Sequence, residues 1–117
     1  IPLSAARDAG YEKFLVVLTQ PKGFRKVPPR RLTPFYRSYF RRFPAVGEAL
    51  LRRWAVYNET LDEIEALEEA GQAVVFRPEQ VRIRSYERKV DRLAEAYELG
   101  REQALREVDL WRDFCGL

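Results

Sequence analysis

The chain has 117 residues, of which 46% are hydrophobic and 33% charged, with a formal net charge of +3. This length and apolar content suit one packed domain or a large part of one, and they exclude intrinsic disorder. The chain contains no histidine, no methionine and one cysteine. Ser-His-Asp or Cys-His catalysis, a histidine-containing zinc site and an internal disulfide are therefore excluded within it. Since translation begins with methionine, we expect the chain to have lost an upstream part.

No run of about 18 apolar residues occurs, so the sequence predicts no transmembrane helix. The N-terminal segment IPLSAARDAGYEK also lacks the long apolar core of a signal peptide. With Cys115 as the lone cysteine, these features favour a reducing, cytoplasmic compartment, with peripheral contact to a membrane left open.

The first half of the chain predicts a helix, a strand, a loop and an aromatic helix. Residues 2–12 are predicted as a short helix that breaks at Gly10. The apolar run FLVVL (14–18) does not alternate, which predicts a strand buried on both faces, as in a parallel sheet. Residues 20–33 contain three prolines and five cations and are predicted as a loop. Thr33 is predicted to cap the next helix, with Pro34 in its first turn. The aromatic residues of that helix are Phe35, Tyr36, Tyr39, Phe40 and Phe43.

The second half predicts a long helix, a strand and a last helix. Apolar residues recur at steps of three and four at Val46, Leu50, Trp54, Tyr57, Leu61, Ile64 and Leu67, and Gly71 is predicted to stop this helix. Residues 73–76 (AVVF) are predicted as a second buried strand. Ser85 is predicted to cap the last helix, whose apolar side contains Val90, Leu93, Ala94, Tyr97, Ala104, Leu105, Val108 and Trp111.

This order of elements favours an α/β fold with two parallel strands, at about 14–18 and 73–76, a long crossover helix and a C-terminal helix. Two strands alone make a poor sheet. We therefore expect further strands from upstream residues or from another chain.

The glycines stand at positions 10, 23, 47, 71, 100 and 116, never closer than 13 residues apart. This spacing excludes the phosphate-binding loops GxGxxG and GxxxxGK and the nucleophile elbow GxSxG. The carboxylates between 59 and 69 are predicted as a solvated helix face, because no histidine, cysteine or second carboxylate helix accompanies them. We predict no catalytic residue, no cofactor and no metal ligand in this chain.

Charge is unevenly distributed along the sequence. Residues 21–53 contain ten basic residues and one acid, whereas residues 54–72 contain six acids and no base. Cations alternate with aromatic residues between 22 and 43, as in surfaces that bind anionic lipid or, a less favoured alternative here, nucleic acid. The candidate contacts are Lys22, Arg25, Lys26, Arg30, Arg31, Arg37, Arg41 and Arg42. The competing interpretation is that the rings pack inward while the cations stay solvated or pair with acids at 59–69.

Several segments resemble bacterial patatin-like phospholipases. They are IPL (1–3), residues 6–10, KFLVVLTQPKGFRK (13–26), Tyr36, RRFP (41–44), Tyr57 with Asn58, VFRP (75–78) and LAEAYELG (93–100). Their order and spacing extend the resemblance over most of the chain. It implies a partial three-layer patatin-like fold, in which residues 1–117 are the C-terminal part of a patatin-like domain without its N-terminal catalytic part.

Patatin-like enzymes hydrolyse lipid acyl esters with a Ser-Asp dyad, the serine in GxSxG and the aspartate in Asp-Gly-Gly. This chain has neither motif, and Asp8 is followed by Ala9, so no catalytic residue carries over. The resemblance implies a non-catalytic segment of a hydrolase in lipid degradation, inactive alone, whose partner is the missing N-terminal part. Two alternatives stay open: a stand-alone basic module for anionic membrane or nucleic acid, and a structural piece that forms a homo-oligomer.

Overall fold

The structure is a computed structural model that describes residues 1–117. Its elements are α1 (Leu3–Asp8), β1 (Phe14–Val17), a 3-10 turn (Arg30–Leu32), α2 (Thr33–Tyr39), α3 (Pro44–Glu69), β2 (Ala73–Phe76) and α4 (Val90–Cys115). Four helices and a two-stranded parallel sheet give the predicted α/β class. The strands pair in register, with Phe14 opposite Ala73 and Val17 opposite Phe76. The predicted parallel pair, long connecting helix and C-terminal helix are confirmed.

The chain forms two compact units, which are described separately. The first contains residues 1–10 and 25–66, and the second contains residues 11–24 and 67–117. Helix α3 contributes its residues up to Ala66 to the first unit and its last turn, from Leu67, to the second. The amino-acid composition does not mark the boundaries between the two units. Each unit combines two segments that are separate in the sequence.

In the first unit, α1 buries one side chain and is linked to α3 by an ion pair. The helix is shorter than the predicted 2–12, and the chain turns at Gly10, whose φ of +87° is left-handed. Leu3 is its buried residue. Arg7 donates a hydrogen bond to the carboxylate of Glu63. Because these two side chains are 51% and 38% exposed, the pair adds little to stability, and burial of Leu3 is the stronger anchor.

Helix α2 begins at the predicted place with a different cap. Pro34 lies in the first turn, where its missing N–H removes no helical hydrogen bond. Thr33 was predicted as the cap, and this is wrong: it is already helical, and its hydroxyl donates to the carbonyl of Pro29 at 3.3 Å. The preceding 3-10 turn brings Leu32 into the capping position instead.

Helix α3 buries its C-terminal turns most deeply. Leu61 and Ile64 are buried in the first unit, and Leu67 is buried in the second. Their three-residue spacing keeps them on one side of the helix. At the other end of the predicted apolar stripe, Val46 is 46% exposed. The predicted stop at Gly71 is confirmed, since this residue has a φ of +70° just after the helix.

In the second unit, the sheet is covered unevenly. Leu15 and Val17 of β1 are 45% and 65% exposed. The prediction that both faces of 14–18 are buried is therefore wrong. Side chains alternate between the two faces along a strand, so Phe14 and Leu18 are buried on one face while Leu15 and Val17 are exposed on the other. The buried residues of the sheet region are Phe14, Leu18, Ala73 and Phe76.

Helix α4 starts later than predicted. Its first residue is Val90, and Ser85 lies outside it. The carboxylate of Glu87 accepts the N–H groups of Arg88 and Lys89 at 3.0 and 3.1 Å, which organises the chain just before the helix. The predicted cap at Ser85 is therefore wrong: α4 has no side-chain cap, and Glu87 binds N–H groups that precede its first turn.

The buried side of α4 is also rotated from the predicted one. Gln103 is buried, and the Trp111 ring meets the Phe76 ring edge-on at a centroid distance of 5.5 Å. Several residues of the predicted apolar side are exposed instead, namely Val90, Leu93, Tyr97 and Leu105. Hydropathy alone misplaced this face, because its central residue is a polar amide with hydrogen-bond partners.

Candidate interaction surfaces

The eight candidate cations do not form one surface. Lys22 belongs to the second unit, whereas the other seven belong to the first. Within the first unit, they differ in whether their charge is already matched by neighbouring groups. Arg25, Lys26 and Arg37 have such partners, and the other four form no ion pair; these are Arg30, Arg31, Arg41 and Arg42.

Arg25 is bound by two carboxylates of α3. Its Nη2 atom lies 2.9 Å from Asp62 Oδ1 and 2.8 Å from Glu65 Oε2. The hydrogen bond to Glu65 is the main cause of a pKa raised above the ordinary arginine value. The positive charge of Arg25 therefore faces α3, as the competing interpretation of the basic segment expects.

Lys26 is held through both its backbone and its side chain. Asn58 donates its amide N–H to the Lys26 carbonyl and accepts the Lys26 backbone N–H, each at 2.9 Å. The Lys26 Nζ atom lies 3.9 Å from the centroid of the Tyr57 ring, a cation–π contact. Asn58 was not among the predicted site residues, and a lone asparagine within an amphipathic helix gives no pattern from which this role follows.

The remaining cations of the first unit lie on either side of α2. Arg30 and Arg31 form the 3-10 turn before it, and Arg41 and Arg42 follow it; all four are exposed. Arg37, within the helix, has its Nε atom 3.7 Å from Glu48 Oε1, with both side chains more than half exposed. Such a pair is weak, so Arg37 is only partly neutralised.

The aromatic residues of α2 are divided between two sides of the helix. Phe35 and Tyr39 stack at 5.5 Å, and both are exposed. Tyr36 and Phe40 stack at 6.3 Å and are half-buried. This second pair faces Gly47 of α3, where an added Cβ would lie 3.4 Å from Phe40 Cβ. The competing interpretation, in which the rings pack inward, therefore holds for one side of the helix only.

The second unit has a polar centre around Gln103, which the sequence analysis missed. Its amide N–H groups donate to the Arg77 carbonyl and to Glu107 Oε1 at 2.8 Å, and its oxygen accepts the Glu79 N–H at 2.9 Å. A cleft of about 420 Å³ with Lys22 in its wall opens beside it. Since the polar groups around Gln103 bind one another, the centre fixes the segment after β2 against α4.

The acids of α3 are engaged mainly with arginines. Glu63 pairs with Arg7, and Asp62 and Glu65 pair with Arg25. In the second unit, Arg77 Nη2 lies 2.8 Å from Glu68 Oε2. No group of three or more histidine, cysteine, aspartate or glutamate side chains lies close enough together to hold a metal ion.

Comparison with protein-family models assigns this mixed α/β chain to a family. Residues 43–116 match the model of a family described as a domain of unknown function, DUF6363. The chain belongs to this family, whose matched region runs from the start of α3 to the end of α4. Neither the curated proteins nor the solved structures yielded a match. None of the helices is both long and apolar enough to span a bilayer.

Proposed function

We propose that this chain is the C-terminal, non-catalytic segment of a patatin-like lipid acyl-ester hydrolase, and that its two strands extend a larger parallel sheet. The outer side of β1 is the observation that supports this most directly. Leu15 and Val17 share one face of the strand and are exposed, although an uninterrupted apolar strand is typical of parallel sheets that are covered on both faces. The strand has the composition of an internal strand and the surroundings of an edge strand.

The backbone of β1 supports the same proposal. The N–H groups of Phe14 and Leu18 donate to the carbonyls of Gln72 and Phe76, each at 2.9 Å. In a parallel pair, alternate residues direct their backbone groups away from the partner. Leu15 and Val17 therefore present N–H and C=O groups to the outside, where a further strand would satisfy them.

From the resemblance to patatin-like phospholipases, we infer that the further strand comes from the upstream part of such an enzyme. In such an enzyme, a serine attacks the ester carbonyl and backbone N–H groups stabilise the oxyanion. In the proposed parent enzyme, both features would lie upstream of Ile1. The role left for residues 1–117 is to support that layer and to shape its surroundings.

The parent reading frame tests the proposal directly. We expect GxSxG upstream and Asp-Gly-Gly immediately before Ile1. A reading frame that contains neither motif would overturn the assignment to a patatin-like hydrolase.

The role of β1 is tested in the parent enzyme by the double substitution Leu15→Lys and Val17→Lys. We expect ester hydrolysis to fall at least about tenfold, because two lysines would be buried without a partner where the parent enzyme covers this face of the sheet. The matched control is Val27→Lys with Val90→Lys, since these residues are 80% and 75% exposed outside the sheet. If the enzyme with both β1 substitutions folds and hydrolyses the ester at an unchanged rate, the proposal is contradicted.

The dimerising alternative predicts a different result for residues 1–117 alone. A second copy pairing at β1 would give a stable dimer in sedimentation equilibrium, and the same double substitution would dissociate it. The hydrolase proposal expects no such dimer.

A further inference from the structure

We propose that the surface around α2 docks on an anionic phospholipid bilayer. This surface, called the basic aromatic patch below, consists of Arg30, Arg31, Phe35, Tyr39, Arg41, Arg42 and Phe43. All of these residues belong to the first unit. The inference goes beyond the hydrolase assignment and does not depend on it, since it concerns the surface of this chain alone.

The two sides of α2 differ in what they contact. Tyr36 and Phe40 approach Gly47 of α3 and complete the packing of the helix. On the other side, Phe35, Tyr39 and, just beyond the helix, Phe43 are 57%, 70% and 68% exposed. Phe35 and Tyr39 meet the rings of Tyr36 and Phe40 edge-on, at centroid distances of 5.9 and 4.9 Å, yet more than half of each outer side chain stays exposed. Their exposure leaves a large apolar area in contact with water.

The charges around these rings are available to a ligand. Arg41 and Arg42 are exposed and form no ion pair, and the same is true of Arg30 and Arg31. Arg25, by contrast, is bound by Asp62 and Glu65 and lies outside the patch. The one acid of residues 21–53 is Glu48, which lies beside Arg37. The patch is therefore positive where the rings are exposed.

This combination fits a bilayer surface of negative charge. Exposed aromatic rings enter the boundary between headgroups and acyl chains, while flanking arginines contact the phosphates. A nucleic-acid surface needs free ring faces on which bases stack. Phe35 and Tyr39 instead stack on each other, with an interplanar angle of 21°, so part of each ring face is occupied. The geometry favours insertion into lipid over base stacking.

Vesicle flotation of residues 1–117 tests the proposal. The probes are vesicles of phosphatidylcholine alone and of phosphatidylcholine with about 30% phosphatidylglycerol, a composition with a negative surface potential. We expect binding to the anionic vesicles only, and weaker binding as salt shortens the range of the attraction. No binding to anionic vesicles at low salt would overturn the proposal.

Paired variants then test the patch itself. Arg41→Ala with Arg42→Ala should weaken partitioning roughly 30-fold, at roughly fivefold per cation. The control, Arg84→Ala with Arg88→Ala, removes two exposed arginines of the second unit. We expect the control to bind nearly as the unchanged chain does. Equal losses in both pairs would mean that net charge alone drives binding, and would overturn the docking surface.

The rings are tested in the same way. Phe35→Ala with Tyr39→Ala should lower partitioning several-fold at constant charge, because apolar ring area leaves the lipid. The control is Tyr86→Ala with Tyr97→Ala, since these residues of the second unit are 92% and 66% exposed.

A separate experiment compares single-stranded DNA with the anionic vesicles as a ligand. Binding to it that exceeds binding to anionic vesicles would assign the patch to nucleic acid and overturn the proposal.

Discussion

Asn58 satisfies both backbone hydrogen-bonding groups of Lys26, donating to its carbonyl and accepting its N–H, each at 2.9 Å. This one side chain ties a loop without regular structure to α3. Its neighbour Tyr57 lies under the Lys26 ammonium group. The segment entering the 3-10 turn is therefore positioned by α3, and this anchoring gives the first prediction.

Replacing Asn58 by alanine removes two hydrogen bonds. At about 1 kcal/mol each, we expect the free energy of unfolding to fall by about 2 kcal/mol. Hydrogen exchange at the Lys26 amide should accelerate as well, because its acceptor is lost. Glu59→Ala is the control on the same helix, since this residue is exposed and forms no ion pair. Unchanged protection at Lys26 in Asn58→Ala would contradict the anchoring role.

Gln103 gives the second prediction, in the second unit. Gln103→Leu keeps the size of the side chain but leaves the Arg77 carbonyl and the Glu79 N–H without their partner. A buried polar group left unpaired costs about 1–3 kcal/mol, so we expect a loss of about 2–4 kcal/mol in urea unfolding. Glu102→Leu, at an exposed neighbouring position, should change little. Similar losses in both variants would contradict the role assigned to the hydrogen bonds of Gln103.

Two glycines should respond to alanine with opposite signs. Gly71 has a φ of +70°, so Gly71→Ala should destabilise by about 1–2 kcal/mol through backbone strain. Gly100 lies within α4, and an added Cβ there meets nothing within 4 Å. Gly100→Ala should therefore stabilise by about 0.5–1 kcal/mol. Thermal unfolding of the two variants measures both, and a stabilised Gly71→Ala would contradict the assigned helix stop.

The stability of the chain is expected to depend on pH through the carboxyl group of Glu87. The Lys89 backbone N–H is the main cause of a pKa below the ordinary glutamate value of 4.5, and the Arg88 N–H and Arg92 side chain lower it further. Since the folded pKa is below the unfolded one, this stabilisation is present above about pH 4.5 and is lost as pH falls through the folded pKa. Glu87→Gln should therefore be less stable than the unchanged chain at pH 6.

At pH 3 the difference between the two proteins should shrink, because the glutamate is then being protonated. Urea midpoints at both pH values measure this. Glu12→Gln is the control, since Glu12 is exposed and has no ion-pair partner. A gap between Glu87→Gln and the unchanged chain that is equal at pH 6 and pH 3 would contradict the role of this carboxylate.

The candidate cations could not be separated into paired and unpaired groups from the sequence. By residue type and charge, all eight are equivalent. Arg25 differs from Arg41 only because α3 brings Asp62 and Glu65 within 3 Å of its guanidinium group. Those acids lie 37 and 40 residues further along the chain. No local pattern links positions so far apart, so the free and the neutralised cations could be separated only in three dimensions.

Local sequence determined the elements themselves. Apolar runs placed β1 and β2, the spacing of three and four residues placed α3, and glycine marked its end at Gly71, because each of these signals acts within a few bonds. Tertiary structure alone decided which faces are covered: Leu15 and Val17 are exposed, and the buried side of α4 runs through Gln103. Burial depends on what a distant segment places against a side chain, and a polar residue with its hydrogen bonds satisfied can be buried as well as an apolar one.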